Sequence, residues 1–149
     1  MRLGEYLDSD LILPELTSAT KAEVLREIVD AVSAKIPEMD AEEALRVLLD
    51  RESLGSTGIG DGIAIPHGKL ESLDRIVVAV ARSSKGVDFE ALDHAPCRII
   101  FLVIAPEQVA GLHLRILAHI SRLLKDPEFR KNFLEADGVE GLQQLLQGT

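Results

Sequence analysis

At 149 residues the chain has the length of one domain and can bury an aliphatic core without disulfides or a structural metal. Hydrophobic residues make up 46% and aromatics only 3%, so that core must be Leu, Ile, Val and Ala. A net charge of -9 with no basic run excludes nucleic acid as a natural partner, favours a basic patch on another protein, and the lone Cys97 excludes an internal disulfide or multi-cysteine metal site.

Met1 to Asp10 alternates charged and apolar residues, without the apolar run of a signal peptide, and no stretch elsewhere reaches membrane-spanning length. A cytoplasmic protein without membrane insertion is expected. Leu11 to Leu16 reads as a short extended segment interrupted by Pro14. Thr20-Lys21-Ala22-Glu23 then has the capping-box pattern, and Val24, Leu25, Ile28, Val29, Val32 and Ile36 follow helical spacing up to Pro37. Asp40 with Glu43 opens a second helix that runs to about Ser53.

Gly55 to Gly68 holds five glycines, and within it Ile63 to Ile65 reads as extended. Arg75 to Arg82 and Arg98 to Ala105 are continuous β-branched, apolar runs, the pattern of a sheet covered on both faces, and Val87 to Phe89 reads as a short edge strand. Leu112 to Lys125, Pro127 to Ala136 and Val139 to Gln147 read as three helices separated by Asp126-Pro127 and Gly138. With no repeat and no linker, residues 1–149 are expected to form one layered α/β unit.

Gly58-Ile59-Gly60-Asp61-Gly62 does not fit a dinucleotide loop, which follows a strand and opens a helix; here a helix precedes and an extended segment follows. The Walker pattern fails as well, because Gly68-Lys69 is followed by Leu70. In Ile65-Pro66-His67-Gly68-Lys69 an apolar segment ends at a proline and a glycine, a geometry that presents His67 at a sheet edge. A single histidine there is more often a structural hydrogen-bonding residue than a nucleophile, so the residues around it must decide.

His113 shares a helical stripe with Leu117, Ile120 and Leu124 and is expected to face inward, whereas His119, with Arg115 and Arg122, is expected to face solvent. His113 also lies in the first helical turn, where free N–H groups favour an anion; a buried core histidine is the competing interpretation. His94 sits in a loop with nothing to single it out. Arg51, near the end of the second helix, could clamp phosphoryl oxygens, or could be a surface arginine paired with Asp50 or Glu52. Neither His-x-x-x-His nor Glu-x-x-His spacing surrounds His67 and His113, so no metal site is expected.

The run from Arg51 to Lys69, Arg-Glu-Ser-Leu-Gly-Ser-Thr-Gly-Ile-Gly-Asp-Gly-Ile-Ala-Ile-Pro-His-Gly-Lys, resembles the active-site segment of enzyme IIA domains, mannitol/fructose type, of the bacterial phosphoenolpyruvate-dependent phosphotransferase system. The similarity continues through Val87-Asp88-Phe89, Ala91-Leu92-Asp93, Ala105-Pro106-Glu107, His113-Leu114 and Ser121-Arg122-Leu123-Leu124, nearly the whole chain. Within that group, Leu54-Gly55-Ser56-Thr57-Gly58 looks most like the nitrogen-regulatory branch, whose members signal rather than energise sugar uptake.

The resemblance implies a mixed parallel and antiparallel sheet with helices on both faces. It makes His67 the phosphorylated residue, attacking through Nε2, and His113 and Arg51 the groups that stabilise the phosphoryl oxygens, with Ser56 and Thr57 as further candidates. It implies phosphotransferase activity without metal or cofactor. The donor would be the histidine phosphocarrier protein or its nitrogen-branch counterpart. The acceptor or target would be a regulated protein or, in the transport alternative, a fructose/mannitol-type enzyme IIB; a non-catalytic binding module is the third possibility. The chain itself would be a monomer or weak homo-oligomer.

Overall fold

The computed structural model describes residues 1–149. Two short 3₁₀ turns, Leu3–Tyr6 and Ser9–Leu11, lead into strand β1 (Ile12–Leu13). The extended segment expected over Leu11 to Leu16 is therefore shorter: Ser9–Leu11 curls around Asp8, whose carboxylate accepts from Asp10 N–H, and Pro14 has no N–H to extend a ladder. Helices α1 (Lys21–Lys35) and α2 (Ala41–Ser53) follow. Asp40 caps α2 by accepting from Glu43 N–H at 3.1 Å, whereas the Thr20 hydroxyl at the start of α1 bonds the Glu23 carboxylate at 2.7 Å instead of a backbone N–H.

Three short strands come next, β2 (Gly58–Gly60), β3 (Ile63–Ala64) and β4 (His67–Lys69), then the long pair β5 (Val77–Val87) and β6 (Cys97–Ala105). Helices α3 (Ala110–Lys125), α4 (Pro127–Glu135) and α5 (Gly138–Gln147) complete the chain. Asp126 caps α4 through Glu128 N–H at 3.0 Å, with Pro127 in the first turn, where a missing N–H is harmless.

The sheet order is β1-β5-β6-β3-β2, with β4 also on β6, so β3 and β4 pair in succession with one strand. β5 and β6 are antiparallel; β1 on β5, and β3 and β4 on β6, are parallel, which gives the mixed sheet expected. Val87 is not on a separate edge strand: it ends β5 and pairs with Cys97 after an irregular stretch in which Gly86 takes φ 86°. The irregularity after Arg82 interrupts the ladder, and this is what made the two halves look like two strands in the sequence.

Successive residues of a strand point to opposite faces, and β5 and β6 are apolar on both. Val77, Ala79, Ala81, Ile100, Leu102 and Ile104 pack under α1 and α2. Val78, Val80, Ile99, Phe101, Val103 and Ala105 pack under α3, α4 and α5. Each fully buried Leu, Ile or Phe contributes about 1.5–3 kcal/mol, which gives the layers their adhesion. Arg82 ties loops to helices by donating to the carbonyls of Pro14, Phe133 and Ala136 at 3.0, 2.9 and 2.7 Å.

Candidate functional site

Register decides where His67 points. His67 lies opposite Val103 in the parallel β4–β6 ladder, and paired residues share a face; Val103 belongs to the cluster under α3, so His67 faces α3 as well. Gly68, one residue on, faces the other layer, where a Cβ would meet Val47 Cγ1 of α2 at 2.6 Å. β4 has no strand on its outer side, so His67 stands at a sheet edge, half-buried.

The His67 ring is oriented by its own segment: Nδ1 lies 2.9 Å from the Ile65 carbonyl. A carbonyl can only accept, so Nδ1 carries a proton, and in the neutral ring Nε2 keeps the lone pair. On α3, His113 is buried, at 4% exposure, with ring centroids 6.0 Å apart and the planes at 74°. Its Nε2 has no hydrogen-bond partner. Burial, reinforced by repulsion from Lys69 and from His67 whenever that ring is protonated, pushes the His113 pKa below its ordinary 6.5, which favours the neutral ring.

A cavity of about 160 Å³ opens beside His67, lined by Arg51, Ser56, Thr57, Ile59, Ile65, His67, Leu117 and Ser121. It has the capacity of roughly five waters, enough for a phosphoryl group. Arg51 lies in the last turn of α2 and donates one N–H to the Gly55 carbonyl at 2.9 Å, with further N–H groups left over; it is paired with neither Asp50 nor Glu52.

Ser56 and Thr57 line the cavity, but their hydroxyls are engaged in the turn. Ser56 Oγ donates to the Phe89 carbonyl at 3.1 Å and accepts from Gly58 N–H at 3.0 Å, while the Thr57 hydroxyl donates to the Glu52 carboxylate. His119 departs from expectation: it is half-buried, with Nε2 2.7 Å from the backbone oxygen of Thr149, which lies just past the end of α5. His94, at φ 62°, sits in an exposed turn.

Sequence reasoning missed Leu117 and Ser121 as cavity residues, although they follow His113 at i+4 and i+8 on one helix stripe, which is the signal that could have found them. It also missed Glu52, treated as a surface partner for Arg51 but only 6% exposed. No helix is long and apolar enough to cross a membrane.

A mixed sheet with helices on both faces, carrying an edge histidine beside an arginine, a buried second histidine and an anion-sized cavity, defines the class of histidine-bearing α/β phosphocarrier domains. The family profile for phosphoenolpyruvate-dependent sugar phosphotransferase system EIIA 2 matches residues 5–148, and the chain belongs to that family. It is 36% identical over 146 residues to a nitrogen regulatory protein of Bradyrhizobium diazoefficiens, covering 98% of this chain and 95% of that one. It is 38% identical over 139 residues to the fructose-specific EIIA component of Haloferax volcanii, covering 92% and 89%. The crystal structure of the nitrogen regulatory protein IIA-Ntr from Neisseria meningitidis superposes with a TM-score of 0.90 at 27% identity, covering 97% of this chain and 98% of that one.

Proposed function

We propose that the protein accepts a phosphoryl group on Nε2 of His67 from the phosphohistidine of a histidine phosphocarrier protein, and that the two phosphorylation states differ in affinity for a regulated target. The observation that carries this is the Nδ1–Ile65 contact at 2.9 Å, which leaves Nε2 as the ring's nucleophilic atom beside the anion-sized cavity.

The transfer balances without an added proton. The Nε2 lone pair forms the new P–N bond, the electron pair of the breaking P–N bond returns to the donor's imidazole, and the proton of His67 stays on Nδ1, donated to the Ile65 carbonyl. Positioning and charge stabilisation dominate such a loose transition state. Arg51 supplies a fixed positive charge and free N–H donors at the cavity wall. His113, 6.0 Å away ring to ring and behind the cavity wall, has a buried Nε2 with no competing partner, which can donate to an oxygen of a phosphoryl group once it is seated on His67. Ser56 and Thr57 act here through the turn they hold rather than through free hydroxyls.

Docking is supported by four exposed apolar side chains on the segments that carry the site. Leu54, Leu92 and Leu114 are 84%, 68% and 68% exposed, and Ile59, at 50%, lines the cavity. Leu54 follows α2 and Leu114 follows His113, while Leu92 N–H bonds the Gly58 carbonyl of β2 at 2.9 Å. Exposed apolar side chains on these segments suit a transient protein partner with an apolar face around its own phosphohistidine.

The regulatory role rests on the likeness to nitrogen regulatory proteins. A transport role, with the group handed to a fructose/mannitol-type enzyme IIB, is favoured by the likeness to a fructose-specific EIIA component. The test is intact-mass analysis of wild type and His67→Ala after incubation with phosphoenolpyruvate, enzyme I and the histidine phosphocarrier protein, without ATP. One acid-labile phosphoryl adduct on wild type alone is expected; an adduct on both variants would remove His67 from the role, and none on either would leave a binding module. Rapid dephosphorylation by an added enzyme IIB would favour transport over regulation.

A further inference from the structure

Glu52 directly follows Arg51 in the last turn of α2 and is 6% exposed, yet it does not line the cavity. A carboxylate so buried is costly unless charge-paired and hydrogen-bonded. Here it is both. Oε1 accepts from Thr57 N–H at 3.0 Å and lies 3.2 Å from the ammonium of Lys21, the first residue of α1, while Oε2 accepts from the Thr57 hydroxyl. The Lys21 side chain is itself only 11% exposed, with its ammonium 5.2 Å from the centre of the Phe89 ring.

Two paths lead from Glu52, one from its carboxylate and one from its backbone, and each ends on a group facing the cavity. Along the first, the Thr57 carbonyl accepts from Ile65 N–H at 3.1 Å, and the Ile65 carbonyl accepts from Nδ1 of His67 at 2.9 Å. Along the second, the backbone carbonyl of Glu52 accepts from Gly55 N–H at 3.1 Å, and the Gly55 carbonyl accepts from Arg51 at 2.9 Å; this path does not depend on the Glu52 side chain. Well-packed apolar residues often replace a buried ion pair with no loss of stability. A charged pair in this position therefore calls for a role beyond holding α1 to α2.

We propose that Glu52, charge-balanced by Lys21, is a positioning residue: through Thr57 and Ile65 its carboxylate holds the His67 ring in the tautomer with a free Nε2. The part concerning transfer rests on the phosphocarrier function proposed above; the part concerning the ring does not.

The test uses the full chain with Glu52→Ala and Glu52→Gln, the latter keeping an acceptor for Thr57 N–H. Nitrogen-15 NMR of the His67 ring reads the tautomer, and single-turnover transfer from the phosphorylated histidine phosphocarrier protein is measured against donor concentration. In wild type a protonated Nδ1 and a bare Nε2 are expected. Glu52→Ala should mix the tautomers and slow transfer at saturating donor by roughly 10- to 100-fold, the scale of a misplaced reacting group, with the half-saturating donor concentration changed less than about twofold. Glu52→Gln should recover most of both signals.

An unchanged tautomer in folded Glu52→Ala overturns the proposal whatever the transfer rate. A mixed tautomer with wild-type transfer overturns its kinetic part. A mixed tautomer in a series where even wild type takes no phosphoryl group supports the positioning and rejects the carrier function. Should Glu52→Ala fail to fold, the same two readouts on Lys21→Met, which strips Glu52 of its counter-charge, decide, and wild-type values there overturn it.

Discussion

Replacing His113 by leucine should make the protein more stable and less active at once. The Nε2 of His113 is buried with no partner, and an unsatisfied buried polar atom of this kind costs about 1–3 kcal/mol. Leucine removes that atom and keeps most of the volume beside Leu117 and Ile116, so after some loss of packing a net gain of about 1 kcal/mol is expected, or roughly 2–4 °C in Tm for a chain of this size. If the same atom donates to the phosphoryl oxygens, losing it should slow transfer by about 100- to 1,000-fold.

Urea denaturation and single-turnover transfer read the two effects separately, and pH separates them further. The folded pKa of His113 is depressed below its ordinary 6.5, mainly by burial, so the unfolded chain binds more protons in the window below that value. Its contribution to wild-type stability is therefore fully present above 6.5 and is lost as pH falls through the folded pKa. His113→Leu should lack that component of the acid slope. A variant that is less stable than wild type at pH 7.5 and transfers at the wild-type rate would refute the reasoning on both counts.

Two further expectations concern the scaffold. Gly68→Ala should destabilise by about 1–3 kcal/mol and displace the adjacent His67, because its Cβ would lie 2.6 Å from Val47 Cγ1 and α2 would have to shift; wild-type urea stability and transfer would contradict this. Cys97 is fully buried, and burial, with the carboxylates of Asp93 and Glu52 adding to it, pushes its thiol up to about 11. It should resist iodoacetamide at pH 8 until the protein is unfolded in denaturant, and fast alkylation of the native protein would show that it is reachable.

Much of the architecture was legible in the chain because the signals were local. Helical spacing from Val24 to Ile36, the Asp40 cap, the Asp126-Pro127 break and the apolar runs that became β5 and β6 each depend on neighbours within a few residues. The long motif from Arg51 to Lys69 pointed to His67 and Arg51 for the same reason, and helical periodicity placed His113 inward. Two elements misled. The irregularity after Arg82 made one strand look like two, and His119 looked solvated because its partner, Thr149, lies 30 residues away.

What the sequence by itself determined was therefore the five helices, the covered sheet and the edge position of His67, encoded in periodicity and motif; the short strands β2 and β4 were not legible in it. Only the tertiary structure decided that β3 and β4 share one partner strand, that the His67–Val103 register turns the ring toward α3, and that Lys21 and Glu52 meet beneath the glycine-rich turn. Those pairings join residues distant in the chain. Their free energy comes from packing and desolvation that exist only once the layers have closed, so no local window of the sequence carries them.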